Sequence, residues 1–262
     1  MGKLDTSIHY GDVHYPFQDD SALSVFYQIV RSVKPDLIAC HGDLLDCWGI
    51  SSFQKDLHHR VSLGEEIGMA QRHLNLLNHL APRARKLLLK GNHEDRLQRE
   101  IRRMATKPEA LEILRLPQIS EALTWPALLD LDVHGWEYHD KRTLLFDRLI
   151  LKHGNVVRKW SAYSAKEEHA RYNKSGISGH THRRGVFEHT DWNGVHAWWE
   201  HGCLCNLEPE YVEDPNWQQG FLVVTWSDNR SQFSVEEVRI HEGATIFRGR
   251  QFTATQHERL VA

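Results

Sequence analysis

Five short polar clusters, each standing where an apolar run stops, constrain this chain more than any other feature. They are Asp12-Val13-His14, Gly42-Asp43-Leu44-Leu45-Asp46, Gly91-Asn92-His93-Glu94, Lys152-His153-Gly154 and Gly179-His180-Thr181-His182. An apolar run ending in such a turn reads as a buried strand delivering a loop, and helical stretches separate the early runs. Val33 to Cys40 reads as a turn and short strand ending at His41-Gly42-Asp43, and Lys86 to Lys90 as a strand entering Gly91-Asn92-His93. Leu23, Phe26, Tyr27 and Val30 share one helical face, with Asp20 or Ser21 as N-cap, and a second helix is expected over about Leu63 to Leu80. This alternation predicts an α/β layered core with its active loops at the carboxyl ends of strands.

From about Leu144 the rhythm changes. Leu144 to Leu151, Gly176 to Ser178, Gly185 to His189, Val195 to Trp199, Gly220 to Trp226 and Phe233 to Ile240 read as strands joined by short turns. The fold class predicted is therefore α/β, two packed mixed β-sheets flanked by helices, the second sheet largely antiparallel. No Pro/Ser-rich linker divides the 262 residues, so one domain over 1–262 is expected, with 186–262 as a β-rich extension of the second sheet. Residues 95–140 carry no metal-type motif and are too long for a plain connection. They read as a cap or rim element, or as a peripheral helical insertion.

A net charge of −3, with 19 histidines uncounted, removes any bulk-charge argument for nucleic-acid or membrane binding. The polar start, Met1-Gly2-Lys3-Leu4-Asp5, and the lack of a run approaching about 18 uncharged apolar residues predict a soluble, cytoplasmic protein with no membrane partner. Cys40, Cys47, Cys203 and Cys205 have no CxxC spacing, so buried free thiols are expected rather than disulfides or a zinc ribbon. Cys203 and Cys205 share one face if extended, which suits a soft metal or simple packing.

The clusters bring together carboxylates, imidazoles and one amide, the mixture that holds two divalent cations side by side. Asp12 and His14, two apart, share one face of an extended strand end and can chelate one cation. Asp43 has two oxygens with which to bridge ions about 3.5–4 Å apart. Asn92 offers a neutral amide oxygen, and His153, His180 and His182 add nitrogens.

These motifs, D-x-H, G-D-x-x-D, G-N-H-[DE], a histidine before glycine, and G-H-x-H, occur in the order and intervals of calcineurin-like metallophosphoesterases, which the chain resembles over roughly residues 6 to 185. The resemblance implies a first metal held by Asp12, His14, Asp43 and His182, and a second by Asp43, Asn92, His153 and His180. It implies that His93 is no ligand but contacts phosphate and the leaving group, and that Asp46 orients or charge-couples it; capping of the next loop is the other reading of Asp46. The expected chemistry is phosphate-ester hydrolysis by a metal-bridged hydroxide, since coordination lowers the pKa of water from ~15.7 toward ~7. Two Mn2+ ions are expected, with Fe, Zn or Ni as other fits to oxygen and imidazole ligands.

The substrate is less constrained. Phosphoprotein phosphatases of the superfamily carry Arg-Gly directly after the second aspartate of G-D-x-x-D, whereas here Cys47-Trp48-Gly49 follows Asp46. That departure favours a phosphodiesterase acting on nucleic acid or a nucleotide over a broad-range or phosphoprotein phosphomonoesterase; a non-catalytic scaffold would show eroded ligands. Arg96, Arg99 and Arg103 recur at helical spacing beside the third cluster, either tracking a phosphate backbone or pairing with Glu94, Asp95 and Glu100. Arg96, Arg158 and Arg183 are the candidate substrate-binding cations. Nine tryptophans include Trp48, Trp125 and Trp160 near the motif loops, where they can stack on bases. Trp192, Trp198, Trp199, Trp217 and Trp226 are expected to pack the second sheet or a homo-oligomer contact.

Overall fold

The computed structural model describes residues 4–52, 61–209, 213–227 and 232–255. Its strands are β1 (Leu4–Tyr10), β2 (Leu37–Cys40), β3 (Arg85–Leu89), β4 (Trp136–His139), β5 (Thr143–Leu145), β6 (Leu149–Leu151), β7 (Ser175–Ser178), β8 (Arg184–Asp191), β9 (Gly194–His201), β10 (Gly220–Ser227), β11 (Phe233–Arg239), β12 (Ala244–Phe247) and β13 (Arg250–Thr253). The first sheet runs β11-β10-β1-β2-β3-β4, with β1 to β4 mutually parallel and β10 antiparallel to both neighbours. The second runs β5-β6-β7-β9-β8, and β12 and β13 form a two-stranded sheet.

The period of two along the strands sets four layers. Leu37, Ala39, Leu87, Leu89, Leu222 and Val224 of the first sheet pack against Leu149, Leu151 and Ile177 of the second. The intervening Ile38, Cys40, Leu88 and Val223 face the other way, into the larger core shared with the helices. Both faces are covered, so these strands read as continuous apolar runs. Truncating a buried leucine such as Leu88 to alanine would cost about 2–5 kcal/mol.

Helix α1 (Asp20–Val33) starts where Asp19 Oδ1 accepts from the backbone N–H groups of Ser21 and Ala22 at 2.8 and 2.9 Å. The cap is thus Asp19, one residue before the expected pair. The helix ends at a left-handed Lys34 before Pro35, burying Leu23, Phe26 and Val30 against the sheet. Helix α2 (Leu63–Leu80) has the bounds expected from sequence and opens on a reciprocal Ser62/Glu65 capping box. Helices α3 (Asp95–Met104), α4 (Pro108–Leu114), α5 (Pro117–Ala122), α6 (Trp125–Leu128) and α7 (Leu131–His134) follow β3, and α8 (Tyr163–Tyr172) covers the outer face of the second sheet through Ala165.

Four sequence expectations need correction. Residues 95–140 are not wholly peripheral: Trp125, Leu129, Leu131 and Trp136 lie in the main core, and β4 extends the first sheet. Residues after 186 do not all extend the second sheet. β8 and β9 do, but β10 inserts beside β1 and carries β11 with it, because alternation specifies which face is buried and not which strand is the neighbour. The expected single strand over Leu144 to Leu151 is a hairpin, β5 and β6, reversed at left-handed Phe146 and Asp147, and two of the second sheet's four pairings are parallel.

Candidate metal centre

The loops after β1, β2, β3, β6 and β7 meet at one end of the two sheets, and each carries one of the five clusters. Asp12 and His14 do not share a face by strand alternation, since β1 stops at Tyr10. Both are left-handed, with φ of 51° and 54°, as are Asp43 (49°), His180 (71°) and His182 (56°). Such backbone costs on the order of 1 kcal/mol or more per non-glycine residue and survives only where surrounding bonds enforce it. Here Asp12 N–H donates to Gly42 O at 3.0 Å and His14 N–H to Asp43 O at 3.0 Å. His180 N–H donates to both oxygens of Asp12, at 3.1 and 3.0 Å.

The side chains converge in two groups joined through Asp43. In one, His14 Nε2 and His182 Nε2 are 3.0 Å apart, with Asp12 Oδ1 3.4 Å from His182 Nε2 and 3.9 Å from His14 Nε2. In the other, His153 Nε2 lies 2.9 Å from Asn92 Oδ1 and 3.3 Å from Asp43 Oδ2, with His180 beside them. Asp43 Oδ2 is 3.8 Å from His14 Nε2, so one carboxylate faces both groups. Nitrogens each about 2.1 Å from a common ion lie roughly 3.0–3.4 Å apart, so both groups fit a divalent cation by spacing and donor type.

Glycine opens the space. A Cβ on Gly91 would collide with Asp43 Oδ1, and one on Gly179 with Asp12 Oδ2 and His201 Nε2. Glu94, whose role the sequence left undefined, pins two loops together. Its buried carboxylate accepts from the backbone N–H groups of Asp43 (2.9 Å), Leu44 (2.8 Å), Leu45 (3.2 Å) and Gly91 (2.8 Å), while Trp125 Nε1 donates to its carbonyl at 2.7 Å.

Beside the first group, Asp46 Oδ1 lies 3.2 Å from His14 Nδ1 and 3.0 Å from His93 Nδ1. His93 Nδ1 also meets the Asp46 carbonyl at 2.9 Å, and His93 Nε2 faces Arg96 at 3.1 Å and Asp43 Oδ2 at 3.9 Å. Asp46 caps no helix; Cys47 takes the cap position of the next turn, without a side-chain bond. Burial opposes charge on Asp46, yet its contacts with His14 and His93 hold its carboxyl below the usual range. Burial likewise disfavours charge on His14 and His153. Contacts with Asp12 and Asp46 nevertheless raise His14 well above the usual imidazole value, and Asp43 raises His153 to about 9. Burial lowers His180 to about 4 and lowers His182 as well. A cation entering the centre would take the place of these protons.

The rim differs from expectation. Arg96 is turned inward onto Asp46, while Arg99 pairs with Asp95 and Arg103 with Glu100, so local ion pairs occupy the stripe. Arg158 pairs with Glu167 at 3.4 Å, and Arg183 donates to the carbonyls of Arg158 and Asn216. Trp125 is buried and cannot stack on a base, and Trp226, carried by β10 of the first sheet, packs across onto Phe146 in the β5–β6 hairpin of the second. Trp192 is fully exposed, so it does not pack the second sheet. Trp217, assigned from sequence to sheet packing, instead lies against His182 with ring centroids 4.2 Å apart, and Phe17 meets Trp48 edge-on at 5.7 Å. His201, also missed, sits under the centre with Nε2 3.9 Å from Asp12 Oδ2; its His-Gly pairing with Gly202 was the available signal.

Among the described residues no helix is long and apolar enough to cross a membrane, and all four cysteines are free and buried as expected. The Gene 54 protein of Mycobacterium phage D29 is 26% identical over 238 residues, covering 83% of this chain and 88% of that protein. Vacuolar protein sorting 29 from Cryptosporidium parvum superposes with a TM-score of 0.52 at 15% identity, over 95% of this chain and 98% of that one, which shows the shared fold. The Yfce phosphoesterase from E. coli is a looser likeness, with a TM-score of 0.39 at 13% identity over 90% of this chain and 100% of that one. The calcineurin-like phosphoesterase profile matches residues 6–249, which span both groups of side chains and both sheets, and the chain belongs to that family.

Proposed function

We propose that this protein is a binuclear metal-dependent phosphodiesterase acting on a nucleotide or nucleic-acid diester. The observation that carries the reading is the position of Asp43, whose Oδ2 faces His14 on one side and His153 on the other. Asp12, His14, Asp43 and His182 would hold one ion, and Asp43, Asn92, His153 and His180 the other. Mn2+ is the ion proposed, since the donors are oxygen and imidazole. When bound, the ions supply Lewis acidity, activating water near neutral pH and neutralising phosphate oxygens.

The chain's own residues supply positioning and the proton. With Nδ1 held by Asp46, His93 turns Nε2 toward Asp43 and the space between the groups; once Nε2 takes up a proton and gives up the bond it accepts from Arg96, it can protonate the departing oxygen or stabilise its charge. Arg96, hydrogen-bonded to both His93 and Asp46, ties the two together and offers a guanidinium beside the phosphate. Partly exposed rings, Trp217 against His182 and Trp48, two residues beyond Asp46, against Phe17, support a base as part of the substrate, because stacking tolerates any base. The neutralised arginine stripe gives no support to a long phosphate track, so a short nucleotidic diester is the favoured class.

Turnover of bis(4-nitrophenyl) phosphate and 4-nitrophenyl phosphate under Mn2+ tests the reading. Diester hydrolysis exceeding monoester hydrolysis is expected. Monoester-only turnover would replace it with a phosphomonoesterase, and no turnover of either, with metal bound, with a scaffold.

A further inference from the structure

Among the described residues, one metal-type cluster brings in side chains from outside the two groups and His93. Cys203 Sγ, Cys205 Sγ and a nitrogen of His182 lie within 4.8 Å of one another, all three residues buried. Because Nε2 of His182 faces His14 and Asp12, Nδ1 is the nitrogen turned toward the thiols, 3.7 Å from Cys205 Sγ. The three donors sit on the side of His182 away from Asp12 and His14.

We infer that Cys203, Cys205 and His182 Nδ1 form a separate soft-metal site, of the kind that takes Zn2+, sharing one imidazole with the hydrolytic centre. In a tetrahedral zinc site with Zn–S of about 2.3 Å and Zn–N of about 2.0–2.1 Å, sulfur and nitrogen lie roughly 3.5–3.6 Å apart. The 3.7 Å between Cys205 and His182 matches that separation and sits at the long end for a sulfur hydrogen bond. Three donors leave one position of a tetrahedral ion for an outside ligand. Thiolate and imidazole are soft and borderline ligands, so the site selects against the Mn2+ proposed for the groups next to it, which add carboxylate and amide oxygens.

The backbone holds this set in place without the ion. Leu204 N–H donates to Asp12 O at 3.1 Å, Cys203 N–H to Gln218 O at 3.1 Å and Gly220 N–H to Cys203 O at 3.0 Å. Gln219 Nε2 donates to Cys205 O at 3.0 Å. The segment is therefore stitched both to the loop bearing Asp12 and to the entry of β10, and ligand ordering adds little cost on binding. As the sulfur–metal bonds form, each thiol proton passes to solvent, and with Nε2 of His182 given to the first ion the Nδ1 proton leaves as well, so His182 would bridge the two sites as an imidazolate.

The test uses the full chain, reduced and stripped of metal, and needs no hydrolytic activity. Added Co2+ should give an intense near-ultraviolet thiolate-to-cobalt charge-transfer band that Zn2+ abolishes. The Cys203→Ser/Cys205→Ser double variant should lose that band while keeping the weak visible absorption of Co2+ at the oxygen and nitrogen ligands, which also reports that the fold survives. It should retain about one Zn2+ fewer per chain than the unaltered protein. No charge-transfer band in the unaltered protein, or a band that persists in the double variant, would overturn the assignment and leave Cys205 as a neighbour that only orients His182.

Discussion

The two halves of the candidate centre are built differently. The half around His14 is backed by side chains: Asp46 touches His14 and His93, Arg96 reaches both Asp46 and His93, and Cys205 lies behind His182. The half around His153 is backed by main chain: His153 Nδ1 meets the carbonyl of His41 at 3.0 Å, and the His153 carbonyl accepts from Gly179 N–H at 2.7 Å. Main-chain partners neither titrate nor change rotamer, so that half is a rigid frame. Side-chain partners can move a proton, and the His14 half is where proton handling is concentrated.

The harshest way to break this division is Asp43→Ala, because Asp43 faces both halves. It should abolish paired metal binding and reduce diester turnover to background, read by elemental analysis and steady-state kinetics. Next, His93→Ala should lower turnover by about 10²- to 10⁴-fold, the usual contribution of a positioned acid or base, while bound metal is unchanged. A parallel loss of metal would instead make His93 part of the frame. Asp46→Asn keeps the shape but removes the charge beside His14 and His93. A loss of about 10- to 100-fold is expected, in activity and in affinity for the first ion, as for other groups that support metal ligands, with the His153 half unaffected.

The sequence made this centre legible as a set of ligands but not as two kinds of half. Asp12 and His14 were readable from spacing, whereas the left-handed backbone that brings them together was not, because nothing in Asp-Val-His requires positive φ. Glu94 stood in a recognised cluster, yet its function lies in hydrogen bonds to a segment about fifty residues earlier. His201 carried only the weak signal of a His-Gly pair and reaches the centre from the end of β9, whose neighbours alternation does not identify, while Trp217 lies outside the strands and is brought to His182 by the Gln218 N–H bond to the His182 carbonyl. The layered fold was readable because apolar runs report burial. The place of β10 between β1 and β11 was not.

The smallest effect separates the centre from an ordinary buried histidine. His73 bonds to the hydroxyls of Tyr10 (2.8 Å) and Tyr27 (2.6 Å), and burial lowers its pKa to about 3. In the unfolded chain it titrates near ~6.5, so as pH falls the unfolded state takes up the proton first. Its stabilising effect is complete above about pH 6.5 and is lost as pH drops toward 3. His153, raised to about 9 in the metal-free protein, has the opposite sign: its contribution is complete below about pH 6.5 and lost as pH rises through 9. Melting temperatures of chelator-treated protein across pH 4 to 9 should therefore flatten on the acid side in His73→Gln and on the alkaline side in His153→Gln; equal slopes in both variants would erase the distinction.

The central claim is that two divalent ions, one in each half, make this site active, and stoichiometric activation tests it most directly. Metal-free protein at a concentration well above its affinity for Mn2+ is titrated with that ion while bis(4-nitrophenyl) phosphate hydrolysis is followed. Turnover should rise to a plateau at about two ions per chain, the count of a paired site. A plateau at one ion, or turnover that is full before any Mn2+ is added, would contradict it.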